Sequence, residues 1–296
     1  MTNSPASDIR DLVQLGREHP GFRDAEYRAR RNAIAHIAQQ HRFGDPVPPA
    51  PYTEAEQEVW RTICMLLEPV QQRTVCCELL SMQKEFPLDA TRIPQLEELN
   101  PRLRSMTGFS MQPVMGLVKA RTFVEHLAQN IFLSTQYIRH HSRPLYTPEP
   151  DVVHELIGHA AALAHPRIAA ANVCMGNAAL TATASEMTRL ERVYWYVLEF
   201  GLVEEGNEVR AFGAGLLSSA GELEQMRRGP ELRSWDLDAI AATDYDPTQM
   251  QPWLFVAPSF DRLLSDLIAW VEAGRWRDAA VETLSPAPAG PSLHLR

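Results

Sequence analysis

The sequence predicts a mainly α-helical fold, a single domain with a few short strands. Three observations predict it. Helical hydrophobic spacing recurs through most of the chain, segments that read as strands are short and few, and 45% apolar content over 296 residues is enough for one large core.

The first helix is predicted over residues 24–40, with Tyr27, Ile34 and Ile37 facing inward and basic residues outward. The proline cluster Pro46, Pro48, Pro49 and Pro51 ends that unit. Thr53 and Glu56 have capping-box spacing, and the helix they open runs to about Leu67, with Val59, Ile63 and Leu66 on one face. Further helices are predicted at 71–85, 121–132, 151–164, 185–204, 215–227 and 259–273, and strands at 208–212 and 253–256. Residues 1–17 read as an N-terminal extension, 18–276 as the main domain and 277–296, rich in proline and alanine, as a loose tail.

Net charge is −9 with both signs interspersed, which gives no basic footprint for nucleic acid. No apolar run approaches the roughly 20 residues that span a bilayer, and the N-terminus lacks a basic-then-hydrophobic leader, so a cytoplasmic protein without a membrane partner is expected. Cys64, Cys76, Cys77 and Cys174 form no CxxC pair and are expected to be reduced.

The chemistry concentrates in Pro148-Glu149-Pro150-Asp151-Val152-Val153-His154-Glu155-Leu156-Ile157-Gly158-His159. A His-Glu-x-x-His helix places its histidines about 40° apart, whereas a five-residue spacing on an α-helix separates them by about 140°. His154 and His159 therefore converge on one ion only at a helix end or through a local distortion, which Gly158 permits. Glu199 lies in a segment, residues 190–202, that is apolar on most sides, where a carboxylate is costly unless paired or metal-bound. Two imidazoles and a carboxylate make a facial triad with open positions, a donor set suited to Fe(II). Either histidine alone would ordinarily be hydrogen-bonded structure, and Glu199 alone a solvated carboxylate. Asp151, placed to cap the helix or orient a histidine, tips the joint pattern toward metal. A zinc-dependent hydrolase is the alternative suggested by His154-Glu155, and the five-residue spacing argues against it.

Residues 134–159, Tyr194-Trp195-Tyr196-Val197-Leu198-Glu199-Phe200-Gly201-Leu202 and Ala211-Phe212-Gly213-Ala214-Gly215-Leu216-Leu217-Ser218-Ser219-Ala220-Gly221-Glu222 closely resemble the active-site core of the pterin-dependent aromatic amino acid hydroxylases. The likeness extends through His19-Pro20-Gly21-Phe22-Arg23-Asp24, Tyr27-Arg28-Ala29-Arg30-Arg31, Ile93-Pro94-Gln95-Leu96-Glu97 and Gln251-Pro252, covering roughly residues 18–276. The chain is similar to the short bacterial form. That implies no regulatory domain before it and no tetramerising helix after it, and hence a monomer or at most a weak homodimer.

The resemblance implies Fe(II) and a tetrahydropterin (tetrahydrobiopterin or related) as cofactors, O2 as co-substrate and a small-molecule aromatic amino acid as substrate. It assigns His154, His159 and Glu199 as iron ligands, Asp151 as the residue that orients the first histidine, and Tyr194 as a neighbour of the iron. Arg139 corresponds to the binder of the substrate carboxylate, for which a guanidinium fork is suited. By the same resemblance Thr147, Pro148, Gly215 and Ser218 correspond to positions that line the amino acid site, and Trp195 to the aromatic wall beside the substrate ring. Phe123 stacks on the pterin, with Val118 and Glu155 at its pocket. Trp195 favours phenylalanine, hydroxylated at the para carbon to tyrosine. The chain departs from the family pattern at Thr122, Ala220 and Pro247, so tryptophan 5-hydroxylation or a specialised-metabolism hydroxylation is the alternative.

Overall fold

The computed structural model describes residues 15–145, 147, 149–247 and 249–278. Residues 1–14 of the expected extension and 279–296 of the expected tail lie outside these, as does Pro148. Helix α1 (Ala25–Gln40) starts where Asp24 accepts the Tyr27 N–H. It anchors the segment that follows β2, because the Tyr27 hydroxyl donates to the Ile138 carbonyl and Arg31 pairs with Glu149 while lying 3.6 Å from the Tyr137 ring centre.

The Thr53–Glu56 capping box opens α2 (Glu54–Thr74), which passes Leu67 and carries Pro69 without ending. Its inward face is Val59, Trp60, Ile63, Leu67 and Val70, while Leu66, expected inside, is 37% exposed. Val75 and Cys76 leave the helix to pair with Ala211, so α3 (Cys77–Glu85) begins later than the spacing suggested.

Helix α4 (Leu96–Thr107) was not expected. Its start is fixed by Glu98, which accepts the Gln95 N–H, and Gln95 in turn brackets both backbone groups of Ala50, tying the proline segment down. Gly108, at φ 81°, closes it in the left-handed conformation that glycine adopts without strain. Strand β1 (Ser110–Pro113), α5 (Ala120–Leu127) and β2 (Ile131–Ser134) follow, with β1 and β2 parallel. The expected 121–132 helix thus stops at Leu127, and Asn130 at φ 58° turns the chain into β2.

The next helix is wound with i→i+5 bonds over π1 (His154–Ala160) before ending as α6 (Ala161–Leu163). Helix α7 (Pro166–Ala179), also not expected, has proline at its first turn and packs so closely on α5 that a Cβ on Gly176 would sit 2.2 Å from the Ala128 nitrogen. Helix α8 (Ala184–Val193) opens with the Thr183–Glu186 box and changes to i→i+5 winding over π2 (Tyr194–Glu199), closed by the Phe200 N–H on the Trp195 carbonyl at 2.9 Å. The expected helix to 204 therefore ends at Glu199.

Strands β3 (Leu202–Glu205) and β4 (Glu208–Ala211) form an antiparallel hairpin. The expected 215–227 helix is two short ones, α9 (Ala214–Leu217) and α10 (Ala220–Gln225), split where Ser219 caps the second. Strand β5 (Glu231–Ser234) and α11 (Leu237–Ala241) were missed, whereas β6 (Trp253–Ala257) and α12 (Phe260–Glu272) fall where the spacing put them. Among the described residues the larger sheet has the order β4-β3-β6-β5, with β6 parallel to both neighbours. Trp60, Phe86, Phe109, Phe132 and Tyr196 fill one continuous core, and all four cysteines are free. Among the described residues no helix is long and apolar enough to cross a membrane.

Candidate metal centre

Asp151 starts the site. Its carbonyl accepts the Glu155 N–H and its carboxylate the His154 N–H at 3.2 Å, so π1 is capped before its first ligand. Winding by i→i+5 then stacks His159 over His154 instead of turning it away, and the two Nε2 atoms stand 3.0 Å apart. Gly158 permits this because α9 crosses directly over it; a Cβ there would lie 2.7 Å from the Ala214 carbonyl oxygen. The second π segment delivers Glu199, with Oε1 3.1 Å from His159 Nε2 and Oε2 3.5 Å from His154 Nε2.

Metal–ligand bonds of about 2.1 Å put neighbouring donors about 3.0 Å apart in an octahedron and about 3.4 Å in a tetrahedron. The spacings of 3.0 and 3.1 Å fall in that range and the third, 3.5 Å, lies just beyond it, so the residues present suit a metal ion. Burial pushes His154 down to about 4, leaving a neutral imidazole able to donate its lone pair. Burial alone would raise Glu199, but the facing charges of His159 and His154, together with hydrogen bonds from His159 and the Gly215 N–H, hold it below the usual carboxylate range. Burial also opposes protonation of His159, and the Glu199 carboxylate overcomes it and raises that pKa. Glu155 brings a further carboxyl oxygen within 4.8 Å of both imidazoles. Its Oε1 is engaged by the N–H and hydroxyl of Thr135, at 3.0 and 2.9 Å, and burial raises it to about 7. Glu199 is thus the third donor by distance.

Beside the triad Arg139 and Asp151 form a buried pair. The Arg139 backbone N–H and Nε reach Oδ2 at 2.7 and 2.9 Å, and a terminal nitrogen reaches Oδ1 at 2.8 Å. This corrects one expectation. Asp151 holds the guanidinium and the backbone of His154, not its ring; the ring Nδ1 faces the Ser218 hydroxyl at 3.1 Å. The Ser218 hydroxyl is also 2.9 Å from the Ala214 carbonyl, which fixes it on α9.

Trp195 projects from π2 and stacks on Tyr245 at 4.5 Å with 15° between the planes, and Phe200 flanks it at 4.8 Å. Gly215 lets α9 meet that wall, because a Cβ would fall 2.8 Å from the Phe200 ring. Phe123 lies edge-on to Phe132 and Tyr194, and Phe132 is 4.5 Å from the His159 ring. The Tyr194 hydroxyl donates to Asn172 at 3.3 Å, and these two line a small cavity beside His159. Thr147 donates to the Glu149 carbonyl, and Val118 is exposed ahead of α5.

The family model for biopterin-dependent aromatic amino acid hydroxylases matches residues 9–277. The chain belongs to that family. It is 45% identical over 215 residues to the chloroplastic phenylalanine 4-monooxygenase of Pinus taeda, covering 73% of this chain and 61% of the relative. It is 41% identical over 254 residues to the phenylalanine-4-hydroxylase of Bos taurus, covering 84% and 56%. The chain thus spans less than two thirds of these relatives' lengths. Its fold is similar to phenylalanine hydroxylase of Chromobacterium violaceum with bound oxidised Fe(III), at a TM-score of 0.73 and 32% identity over 80% of this chain and 88% of that one. A second structure of that protein, with iron(III) and 7,8-dihydrobiopterin, matches at a TM-score of 0.71 and 31% identity over 79% and 88%.

In this hydroxylase-family chain the structure brings His154, His159, Glu199, Glu155, Asp151, Arg139, Ser218, Gly215, Tyr194, Trp195 and Phe123 to one region of the fold. Sequence reasoning missed Thr135, Asn172 and Tyr245. Thr135 follows directly on β2, and its hydroxyl next to a motif arginine four positions on was the available signal. Asn172 lies in an alanine-rich helix and Tyr245 between Asp244 and Asp246 ahead of β6, and neither belongs to a motif.

Proposed function

We propose that the chain is an Fe(II)- and tetrahydropterin-dependent monooxygenase that hydroxylates free phenylalanine at the para carbon to tyrosine, with O2 as co-substrate. The observation that carries this is the buried convergence of His154, His159 and Glu199 beside the Arg139–Asp151 pair. Three protein donors leave the rest of an iron coordination sphere open, and iron with a reduced pterin supplies the activation of dioxygen.

The chain's own residues bind, orient and exclude water. His154, His159 and Glu199 hold the iron, and Ser218 accepts from or donates to the His154 ring to fix its rotation. Arg139 has spent one edge of its guanidinium on Asp151, and its remaining N–H groups take the substrate carboxylate. Trp195, braced by Tyr245, walls the substrate ring, while Gly215 and Thr147 border the amino acid site. Phe123 and Val118 would border the pterin, and the Glu155 carboxyl, held by Thr135, would face its pocket. The proposal extends to the 1–17, 18–276 and 277–296 division and to a cytoplasmic enzyme.

The test is incubation of iron-loaded protein and tetrahydropterin separately with phenylalanine, tyrosine and tryptophan, with products identified by mass and retention. Tyrosine from phenylalanine, formed with pterin-dependent oxygen uptake, is the expected result. An oxygen gained only by tryptophan overturns the substrate, and absence of pterin-dependent uptake overturns the chemistry.

A further inference from the structure

A second cluster of potential metal-ligating side chains lies outside the triad. Asp24, the residue that caps α1, places Oδ2 3.1 Å from His140 Nε2, and the His140 and His141 rings are 4.2 Å apart. One ligand atom from each of the three lies within 4.8 Å of the others. Two imidazoles and one carboxylate are the donor set that divalent zinc, nickel or copper prefers over magnesium or calcium.

The cluster is held in shape before any ion arrives. Asp24 is fixed by its other oxygen, which accepts the Tyr27 N–H at 3.0 Å. His140 is 6% exposed, packed edge-on against Tyr27 at 4.9 Å, with its Nδ1 2.7 Å from the Ser142 hydroxyl. The Ser142 backbone N–H donates to His140 Nδ1 at 3.2 Å beside the Ser142 hydroxyl, so Ser142 fixes the ring, and binding an ion through Nε2 moves the ring proton to Nδ1, where the Ser142 hydroxyl accepts it. His141 is exposed, so it can rotate its ring toward the other two while water completes the coordination. The nearby Arg31 charge is paired with Glu149.

We propose that Asp24, His140 and His141 form a second, surface site for a divalent transition-metal ion of the zinc type, distinct from the His154, His159 and Glu199 centre. An ion there bridges the start of α1 to the segment that carries Arg139, adding a clamp behind the guanidinium. The proposal does not depend on the reaction at the triad.

Equilibrium dialysis of the iron-loaded full chain against Zn2+, with metal counted by elemental analysis, tests it. Wild-type protein should take up Zn2+ beyond its iron, and His141→Ala and Asp24→Asn should lose that uptake, the latter while keeping a helix-capping side chain. Ser142→Ala should weaken it about tenfold, the usual cost of removing an outer partner of a ligand histidine. Glu199→Ala should lose iron and keep the Zn2+ bound here, which separates the two centres. Zn2+ should raise the melting temperature of wild type and not of His141→Ala. Absence of Zn2+ uptake in wild type, or unchanged uptake in His141→Ala, overturns the proposal.

Discussion

His159 stands one π turn above His154, with their Nε2 atoms 3.0 Å apart, so a five-residue spacing that an α-helix would splay brings two imidazoles to one point. The winding and the close passage of α9 require each other, since Gly158 is where the Ala214 carbonyl comes nearest. Gly158→Ala must push α9 away or rewind π1. We expect a loss of about 1–3 kcal/mol of stability in chemical denaturation, the range for overpacking a core, together with reduced iron content. Wild-type stability and iron content in that variant would refute the link between glycine and winding.

Ser218 comes from α9 to the ring of His154 across 64 positions of sequence. Ser218→Ala leaves the three donors in place and removes what fixes one of them. Iron affinity should fall about 10- to 100-fold, as for other outer partners of ligand histidines, with the circular dichroism spectrum unchanged. Competition with a chelator of known affinity measures this directly, and equal retention by both proteins would assign Ser218 to packing alone.

Arg139 keeps its charge in Arg139→Lys but loses the planar fork that matches Asp151. One charge-assisted bond is worth about 1.5–3 kcal/mol, so KM for phenylalanine should rise about ten- to a hundredfold. Because Asp151 is fully buried, the variant should also be less stable. A changed kcat with an unaltered KM would contradict a role in holding the substrate carboxylate.

How far these features could be read beforehand varied with their range. His154, His159 and Glu199 were legible because ionisable groups stood in apolar runs where burial needs a reason. The i→i+5 winding was not, since the same side chains support either helix and only the contact with Ala214 selects one. Helix α7 escaped because its Ala169, Ala170, Ala171 and Gly176 surface offers no polar–apolar contrast. Strand β2 was absorbed into the preceding helix because Phe132, Leu133 and Ser134 are all buried, leaving no alternation. Ser218 was placed in the substrate site by resemblance, and its hydrogen bond to a ligand ring is a tertiary fact.

His19 is buried, with its Nδ1 accepting the Gly21 N–H, so the fold holds it as a neutral ring. Burial, then the charges of Arg31 and His140, lower its pKa from 6.5 to about 4. A folded pKa below the unfolded one means that the unfolded chain binds the proton more readily. The contribution is complete above pH 6.5 and is lost as pH falls toward about 4. His19→Asn keeps an acceptor for Gly21 without the titration. Its unfolding free energy should fall less steeply than wild type across that window, and parallel curves would show that His19 does not titrate on unfolding.

Tyr245 is stacked on Trp195 at 4.5 Å and belongs to the segment that leads into β6, so the wall proposed to flank the substrate ring is shared between two distant parts of the chain. Trp195 is the larger half, and an indole substrate needs the room it occupies. Trp195→Phe should therefore improve kcat/KM for tryptophan relative to phenylalanine by about tenfold, within the few kcal/mol that pocket shape controls. Tyr245→Ala tests the brace separately. Without its stacking partner Trp195 can tilt, and the same ratio should move in the same direction by less, while iron content stays constant because neither ring touches a ligand atom. If Trp195→Phe changes both substrates equally, the wall positions neither, and discrimination lies elsewhere in the pocket.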